Sequence, residues 1–485
     1  VVKNIPLNFP MPKTIYTAAV DLGATSGRVI LGAWSQNKLT LTEAHRFPNA
    51  YRELGKNAYW ELGTFWAEVQ TGLRKVIELL PRGAKLASVG VDTWGCDHVL
   101  LNDAGRLVFP PHAYRDDRTQ AGLKALAKNG ADRIYAATGI PNVFYNTSLQ
   151  LAESVTQCPA ITDLASRCLF LSDYFNYLLS GKMANELTVA STSQLLDVKT
   201  RDWSRTALTH FHLPPEWFSK PKLAGTKLGK VRGFPELAGT SVIAVPGHDT
   251  ACAYDAMPAA EDGNDIFLSS GTWSLVGFES DSPVLGEAAE KARVANERTG
   301  NGGYRPLTNV VGLFLLEQIM ADFKQRPAND RAWAALIRAA EKLPAPKDLL
   351  TLTDPAFTSP DSMKVAIDAQ LKQRKLKRPV TLAGYARLIC DSIGQGHAGA
   401  IRAFEGMTTK TFKRILMVGG GSKNQLLCQA TANASGLPVV SFSLEGTAVG
   451  NIARQLIALK AVKDLKTFRH LLAADLQQKT YRPQS

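Results

Sequence analysis

Three aspartates stand where an apolar, strand-like run gives way to a turn of small residues. Asp21 closes the run 16–20 and is followed by Gly23, Ala24, Thr25, Ser26 and Gly27 before a second apolar run opens at Val29. The pattern predicts a β-hairpin whose turn presents backbone N–H groups and hydroxyls, a nest in which glycine lets phosphate approach closely. Asp21 cannot itself bind phosphate, so a carboxylate there makes sense as a partner of Mg²⁺, directly or through water. Taken alone, the stretch is equally an ordinary tight hairpin between two core strands. Asp92 ends a second run, 86–91, and opens Asp92-Thr93-Trp94-Gly95-Cys96-Asp97-His98. Polar groups beside a Trp at a strand end suit a sugar, whose hydroxyls need partners and whose ring needs an apolar face. A buried Trp capping the sheet edge fits the same spacing.

Asp249 follows the run 242–245 through Pro246, Gly247 and His248, and leads into a helix of small residues. A carboxylate at such a mouth can accept a proton from a substrate hydroxyl, and the helix N-terminus tolerates negative charge nearby. The competing reading makes Asp249 a simple N-cap. The stretch 265–278 then repeats the opening pattern: apolar run, turn at Gly271 and Thr272, apolar run. Two such hairpins in one chain predict a duplicated fold with a nucleotide between the halves.

The elements that must position these residues read as an α/β chain. An alternating stretch, 39–47, adds a third strand, and apolar residues at helical spacing over 61–80 predict a helix. The stretch 121–179 is mostly helical in pattern, whereas 186–197 and 213–233 read as irregular and 282–305 as a loop. Asn309 is expected to open an apolar helix over 310–320, and a long helix is expected over 381–404. A strand at 414–418 runs into Gly419-Gly420-Gly421, a nucleotide-binding signal that is neither a Walker A nor a dinucleotide fingerprint. Glu445 to Gly450 begins the last substantial helix. The charged run after Pro110 and Pro111, with Arg115, Asp117 and Arg118, suits either a solvated loop or the wall of a polar pocket.

A chain of 485 residues, 45% hydrophobic and 20% charged, predicts a globular protein of two or three domains. The six cysteines form no C-x-x-C pair and read as reduced thiols. No apolar run is long enough for a membrane span, and the stretch 1–10 lacks a signal-peptide core, so a cytoplasmic address is expected. A net charge of +13 invites a nucleic-acid reading, but the basic residues are dispersed and the dense run 372–378 lacks aromatics. No nucleic-acid or membrane partner is expected.

The chain resembles the FGGY carbohydrate kinases of the actin/hexokinase/Hsp70-like superfamily over about residues 18–456. The resemblance rests on V-D-L-G-A-T-S-G-R (20–28), G-H-D-T-A (247–251), S-S-G-T-W-S-L (269–275), N-V-V-G-L-F-L-L-E (309–317), V-G-G-G-S-K-N (418–424) and E-G-T-A-V-G-N (445–451). G-V-D-T-W-G-C-D (90–97) with Y-R-D-D-R-T (114–119) resembles the rhamnulokinase branch. The resemblance implies two ribonuclease-H-like α/β domains, 14–245 and 246–485, each a mixed five-stranded sheet flanked by helices. The active site would lie in the cleft between them, and the last helices would pack back on the first domain. It implies ATP and L-rhamnulose as substrates, Mg²⁺ as cofactor, and a monomer or homodimer. Asp249 would be the general base, and Trp94, Gly95, His248, Thr250 and Asn309 would line the sugar site. Ala24, Thr25, Ser26, Gly27, Arg28 and Thr272 would hold phosphates, Gly419, Gly420 and Gly421 would meet the adenosine, and Asp21 would act through Mg²⁺. Two departures stand out. Glu317 replaces the usual Gln at an ATP contact, and the usual compact N-E-G-G loop is here the longer stretch 296–303. Another ketose or deoxysugar, such as L-fuculose, is the nearest alternative substrate, and a non-catalytic actin-like switch is the alternative of a different class.

Overall fold

The computed structural model describes residues 14–358, 360–442 and 445–484; the stretch 1–10 lies outside them. The opening hairpin forms as expected. β1 (Ile15–Leu22) and β2 (Ser26–Ser35) pair antiparallel with Asp21 opposite Arg28, and β3 (Lys38–Pro48) continues the meander. The periodic stretch that follows becomes α1 (Leu62–Glu78), which turns Phe65, Val69, Leu73 and Val76 into the core. β4 (Leu86–Thr93) runs parallel to β1 and sets Asp92 beside Asp21. After α2 (Leu171–Ser180), β5 (Thr226–Lys230) and β6 (Ser241–Ala244) complete a six-stranded sheet in the order β3-β2-β1-β4-β6-β5.

The chain then enters α3 (Asp249–Ala256) and builds a second sheet. Its members are β7 (Asp265–Ser270), β8 (Trp273–Gly277), β9 (Ala295–Arg298), β10 (Tyr304–Val311), β11 (Arg414–Val418), β12 (Val439–Phe442) and β13 (Gln478–Tyr481). Their order is β9-β10-β8-β7-β11-β12-β13, a sheet of seven strands. Four helices accompany it: α4 (Phe314–Asp322), α5 (Leu382–Met407), α6 (Gln425–Ser435) and α7 (Gly446–Ala458).

The duplication is visible strand by strand. β3-β2-β1-β4-β6 and β10-β8-β7-β11-β12 share one pattern, in which the first two pairings are antiparallel and the last two parallel. The five-stranded sheets expected from the sequence are therefore the cores of larger ones. β5, β9 and β13 add antiparallel edge strands, pairing backbone groups that an open edge would leave bare.

The small-residue helix α3 serves both halves. Ala256 joins Ala19, Ile30, Ala448 and Ile452 against the first sheet, while Tyr254 and Met257 join Phe267, Leu416 and Val440 against the second. α7 crosses back onto the first sheet, where Gln455 Nε2 donates to the Ala18 carbonyl (2.9 Å) and Asn451 Nδ2 to the Gly90 carbonyl (3.2 Å). A buried bidentate pair, Arg454 to Asp255 at 2.5 and 2.9 Å, joins α7 to α3.

Three local expectations change. The stretch 282–305 contains β9 and the start of β10, because Asn296 is buried and its side chain clamps both the amide (2.6 Å) and the carbonyl (2.8 Å) of Val284. Asn309 lies on β10 opposite Leu275, and the helix starts only at Phe314; β8 recruits residues 307–311 into its ladder before Gly312 breaks it. The stretch 186–197, read as irregular, forms a short helical turn at Leu187–Ala190 capped by Glu186 and is deeply buried. Among the described residues no helix is long and apolar enough to cross a membrane, and the six cysteines are free thiols.

Helices α3 and α7 meet at Gly450, where a β-carbon would stand 1.8 Å from the Cys252 carbonyl oxygen. Gly450→Ala must push two packed helices apart, at a cost of about 1–3 kcal/mol or more. The denaturant midpoint is expected to fall accordingly, and an unchanged midpoint would refute this account of the contact.

Candidate active site

Asp249 is delivered by a turn that two other segments hold. The Gly247 carbonyl accepts from Thr93 N (3.0 Å), which docks the turn on the end of β4 beside Asp92. On the other side, Glu186 Oε2 accepts from Gly247 N (2.8 Å), from Thr188 N (2.8 Å) and Oγ1 (2.6 Å), and from Val189 N (3.1 Å). Glu186 is 1% exposed, so this carboxylate is a buried peg for the turn that carries Asp249. Nothing in its sequence neighbourhood announces that role. Asp249 is the first helical residue of α3 rather than its N-cap, and its side chain is 30% exposed. Its Oδ1 accepts from Thr250 N (2.6 Å) and Oγ1 (3.1 Å).

Asp21, Asp92 and Asp249 face one another electrostatically. Burial is the main reason that the Asp21 and Asp92 carboxyls are held above the ordinary range, and each is pushed further by the other acids. Arg28 opposes the rise at Asp21 through contacts of 2.8 Å from Nε and 2.7 Å from Nη2. Asp92 Oδ2 accepts from Asn451 Nδ2 at 2.6 Å, while its buried Oδ1 has no protein partner. An unpartnered buried carboxylate oxygen beside a second acid is a setting that a cation would relieve. Among the described residues no three His, Cys, Asp or Glu side chains are grouped to enclose a metal ion.

The first small-residue turn spans Gly23 to Thr25. Asn49 braces it, donating from N to Thr25 O (3.0 Å) and from Nδ2 to Gly23 O (2.6 Å). The amides of Ala24 and Thr25 make no hydrogen bond among the described residues, so they remain available to an anion. Ser26 and Gly27 begin β2, and Arg28 reaches across to both Asp21 and Glu445, the residue preceding α7. In the second turn Thr272 is exposed, and α4 is tied to it through Leu313 N to Gly271 O (2.9 Å) and Phe314 N to Thr272 O (3.2 Å). Glu317 lies exposed in the first turn of α4. Gly419 and Gly420 are exposed and Gly421 is buried. Gly419 has φ +86°, and a β-carbon there would lie 2.5 Å from the Ser270 carbonyl oxygen, so the glycine run fits directly against the strand that carries the second turn.

In the motif at 90–97 the covered-Trp reading holds and the open platform does not. Trp94 is 6% exposed, so its ring is no open platform: Phe65 and Trp60 cover it, and its Nε1 donates to Asp97. Asp97 is the hub of this wall. Its Oδ2 accepts from Trp60 Nε1 (2.5 Å), Trp94 Nε1 (2.9 Å) and Tyr114 N (3.2 Å), and its Oδ1 accepts from Gln150 Nε2 (3.1 Å). Burial pushes the Asp97 carboxyl up to about 6 against these donors. Gly95 abuts Thr192, whose Oγ1 accepts from Cys96 N at 3.2 Å and helps hold Cys96 in a left-handed conformation with φ +73°. The charged run after the prolines is internal bracing: Asp116 Oδ2 accepts from Ala58 N (2.7 Å) and Asn57 Nδ2 (3.1 Å), and Arg118 pairs with Glu153. His248 and Thr250 flank Asp249 directly. Asn309, by contrast, is exposed on β10, lines a cleft with Val294, Leu352 and Phe404, and makes no side-chain hydrogen bond to the 248–250 turn among the described residues. The same strand instead sends Arg305 to His248, and β9 sends Glu297.

Comparison with known proteins matches this architecture. Residues 16–254 match the N-terminal domain, and residues 266–459 the C-terminal domain, of the FGGY family of carbohydrate kinases. The fold is similar to that of a gluconate kinase from Lactobacillus acidophilus (TM-score 0.81, 16% identity, covering 97% of this chain and 94% of that one). It is also similar to a xylulose kinase from Rhodospirillum rubrum (TM-score 0.78, 17% identity, 97% and 94% covered). A glycerol kinase from Plasmodium falciparum with ADP superimposes at a TM-score of 0.79 with 12% identity, covering 97% of this chain and 94% of that one. These likenesses establish the two-domain α/β fold of the FGGY carbohydrate kinases.

Asp97 yields a pH-dependent expectation. Its folded value of about 6 exceeds the ordinary 3.8, so the folded state holds this proton more tightly than the unfolded chain. The stabilising contribution is complete below 3.8 and is lost as pH rises through about 6. Asp97→Asn lacks the term, so the wild-type thermal midpoint should decline relative to that of the variant across this window. A constant difference would show that Asp97 is ionised throughout.

Proposed function

Because this chain belongs to the FGGY family of carbohydrate kinases, we propose that it transfers the γ-phosphoryl group of ATP to the primary hydroxyl O1 of L-rhamnulose, giving L-rhamnulose 1-phosphate and ADP. The observation that carries phosphoryl transfer is the placement of Asp249. It opens α3 with one carboxylate oxygen occupied by donors and the other unengaged, beside the strand-end acids Asp21 and Asp92. The choice of sugar rests on the 90–97 and 114–119 motifs.

In this reading the amides of Ala24 and Thr25, with Ser26, Gly27, Arg28 and Thr272, bind the phosphates, and Gly419 to Gly421 lie against the adenosine. Asp249 Oδ2 orients the attacking hydroxyl and takes its proton, while the N-terminus of α3 favours the negative charge that gathers there. Phosphoryl transfer asks a protein mainly for positioning and charge stabilisation, and fixed turns meet that demand. Asp21 and Asp92 would hold Mg²⁺, largely through water, and the unpartnered Oδ1 of Asp92 supports that fit. When bound, Mg²⁺ would neutralise charge on the β- and γ-phosphates.

The solved relatives act on xylulose, gluconate and glycerol, so a substrate from those classes is the second reading. A coupled ADP-release assay over L-rhamnulose, L-fuculose, D-xylulose, gluconate and glycerol separates the two. The highest kcat/KM is expected with L-rhamnulose; a higher value with any other compound transfers the assignment to it, and no sugar-stimulated release would leave the nucleotide-switch reading. Asp249→Asn should lower kcat by roughly 10²–10⁴-fold while leaving ATP affinity nearly intact. Turnover close to that of the wild type would remove Asp249 from the role of base.

A further inference from the structure

We propose that Arg305 and Glu297 are positioning residues for Asp249, acting through His248. They hold its imidazole in the Nε2–H tautomer, which faces Asp249 Oδ1 and keeps Oδ2 for the substrate hydroxyl. The role of Oδ2 rests on the kinase reading above; the tautomer does not.

The argument begins with the strand register. Glu297 on β9 and Arg305 on β10 are directly opposed in the antiparallel ladder, so their side chains share one face. The Arg305 side chain is fully buried, and its guanidinium is a permanent donor. Nε donates to the Arg298 carbonyl at 3.1 Å. Nη2 carries two hydrogens and has two neighbours: Glu297 Oε2, and His248 Nδ1 at 2.6 Å. A donor that cannot lose its proton, set against Nδ1, requires a lone pair there. His248 Nδ1 also lies 3.0 Å from Glu297 Oε2, but a proton on Nδ1 would oppose the Arg305 N–H. The proton of the neutral ring therefore sits on Nε2, 3.3 Å from Asp249 Oδ1.

Nε2 stands 3.3 Å from Oδ1, which already accepts from Thr250 N and Oγ1. The carboxylate is thereby fixed in rotation, and Oδ2 is left as its free acceptor. Glu297 has a separate electrostatic task. A lone buried guanidinium against His248 would be an uncompensated charge. Burial raises the Glu297 carboxyl, but the Arg305 guanidinium beside it lowers it again, so Glu297 stays charged and cancels Arg305. The network also returns to the helix that Asp249 opens, because the Arg305 guanidinium lies 5.5 Å from the centre of the Tyr254 ring on α3.

The hairpin is itself anchored outside the second sheet. Asn296 N donates to Gly139 O (2.9 Å), and Arg298 N donates to Ser191 Oγ (2.9 Å). The longer loop at 296–303 thus begins as a braced strand that carries Glu297 to His248.

Nitrogen-15 NMR of the full-length protein labelled at histidine tests this. The chain has eight histidines, and loss of a signal pair in His248→Gln assigns the ring in question. The wild type should show a protonated, pyrrole-like Nε2 and a pyridine-like Nδ1. A protonated Nδ1, or an average of the two tautomers, would overturn the proposal. Arg305→Met should release the ring into such an average; an unchanged spectrum there would equally overturn it. Because Arg305→Met removes a buried charge, Glu297→Gln provides a second measurement in a shape-conserving variant. It should retain the Nε2–H signal, lower kcat for the best sugar several-fold, and keep the KM for ATP. Unaltered kcat would remove Glu297 from the proposal. Absence of sugar-stimulated turnover in the wild type would defeat the kinase reading alone, while the spectrum would still decide the tautomer.

Discussion

The close passage of α3 and α7 holds the site together. Gly450 lets the backbones approach to contact at Cys252, and Arg454 locks their register through Asp255. α3 begins with Asp249. α7 follows Glu445, which touches Arg28, and carries Asn451, which holds Asp92. One helix pair therefore spaces Asp249, Arg28 of the first small-residue turn and the strand-end carboxylate Asp92 of the first sheet. A buried ion pair adds little net stability because both charges must be desolvated. Its effect here is geometric, since sliding one helix along the other would strand a charge without its partner.

The two halves share a strand order but not a chemistry. In the first, strand ends on neighbouring parallel strands carry Asp21 and Asp92, and the turn between β1 and β2 is small and polar. In the second, the equivalent strand ends carry Ser269, Ser270 and Val418, and the glycine run after β11 packs on Ser270. Duplication supplied two similar turns. Divergence placed the acids on one side and the flat, side-chain-free surface on the other.

Beneath the site lies a set of buried carboxylates with most of their acceptors filled. Asp97 gathers two indoles, a backbone amide and Gln150; Glu186 gathers the Gly247 amide with Thr188 and Val189; Glu297 faces Arg305 and His248. Satisfied buried polar groups of this kind tolerate little displacement, because each broken contact leaves an unsolvated donor or acceptor. Asp249, the proposed base, is more exposed than any of them.

Both hairpins, the long helix, the strand into the glycine run and Asp249 were legible in the residues themselves. Each depends on neighbours within a few positions: alternation, helical spacing, a glycine turn, or a carboxylate at the end of an apolar run. Asn309 was misread as a helix start because its strand exists only where β8 is present to pair with it. Trp94 could be placed at the right turn but not as open or covered, since its cover, Trp60, belongs to another segment. Glu186 meets Gly247 across 61 residues of sequence, and Arg305 meets His248 across 57. Local pattern determined which segments form strands, turns and helices, and which acid ends up at a mouth. Only the tertiary structure decided which buried charges surround that acid, because such contacts are paid for by burial of distant segments and leave no periodic trace in the chain.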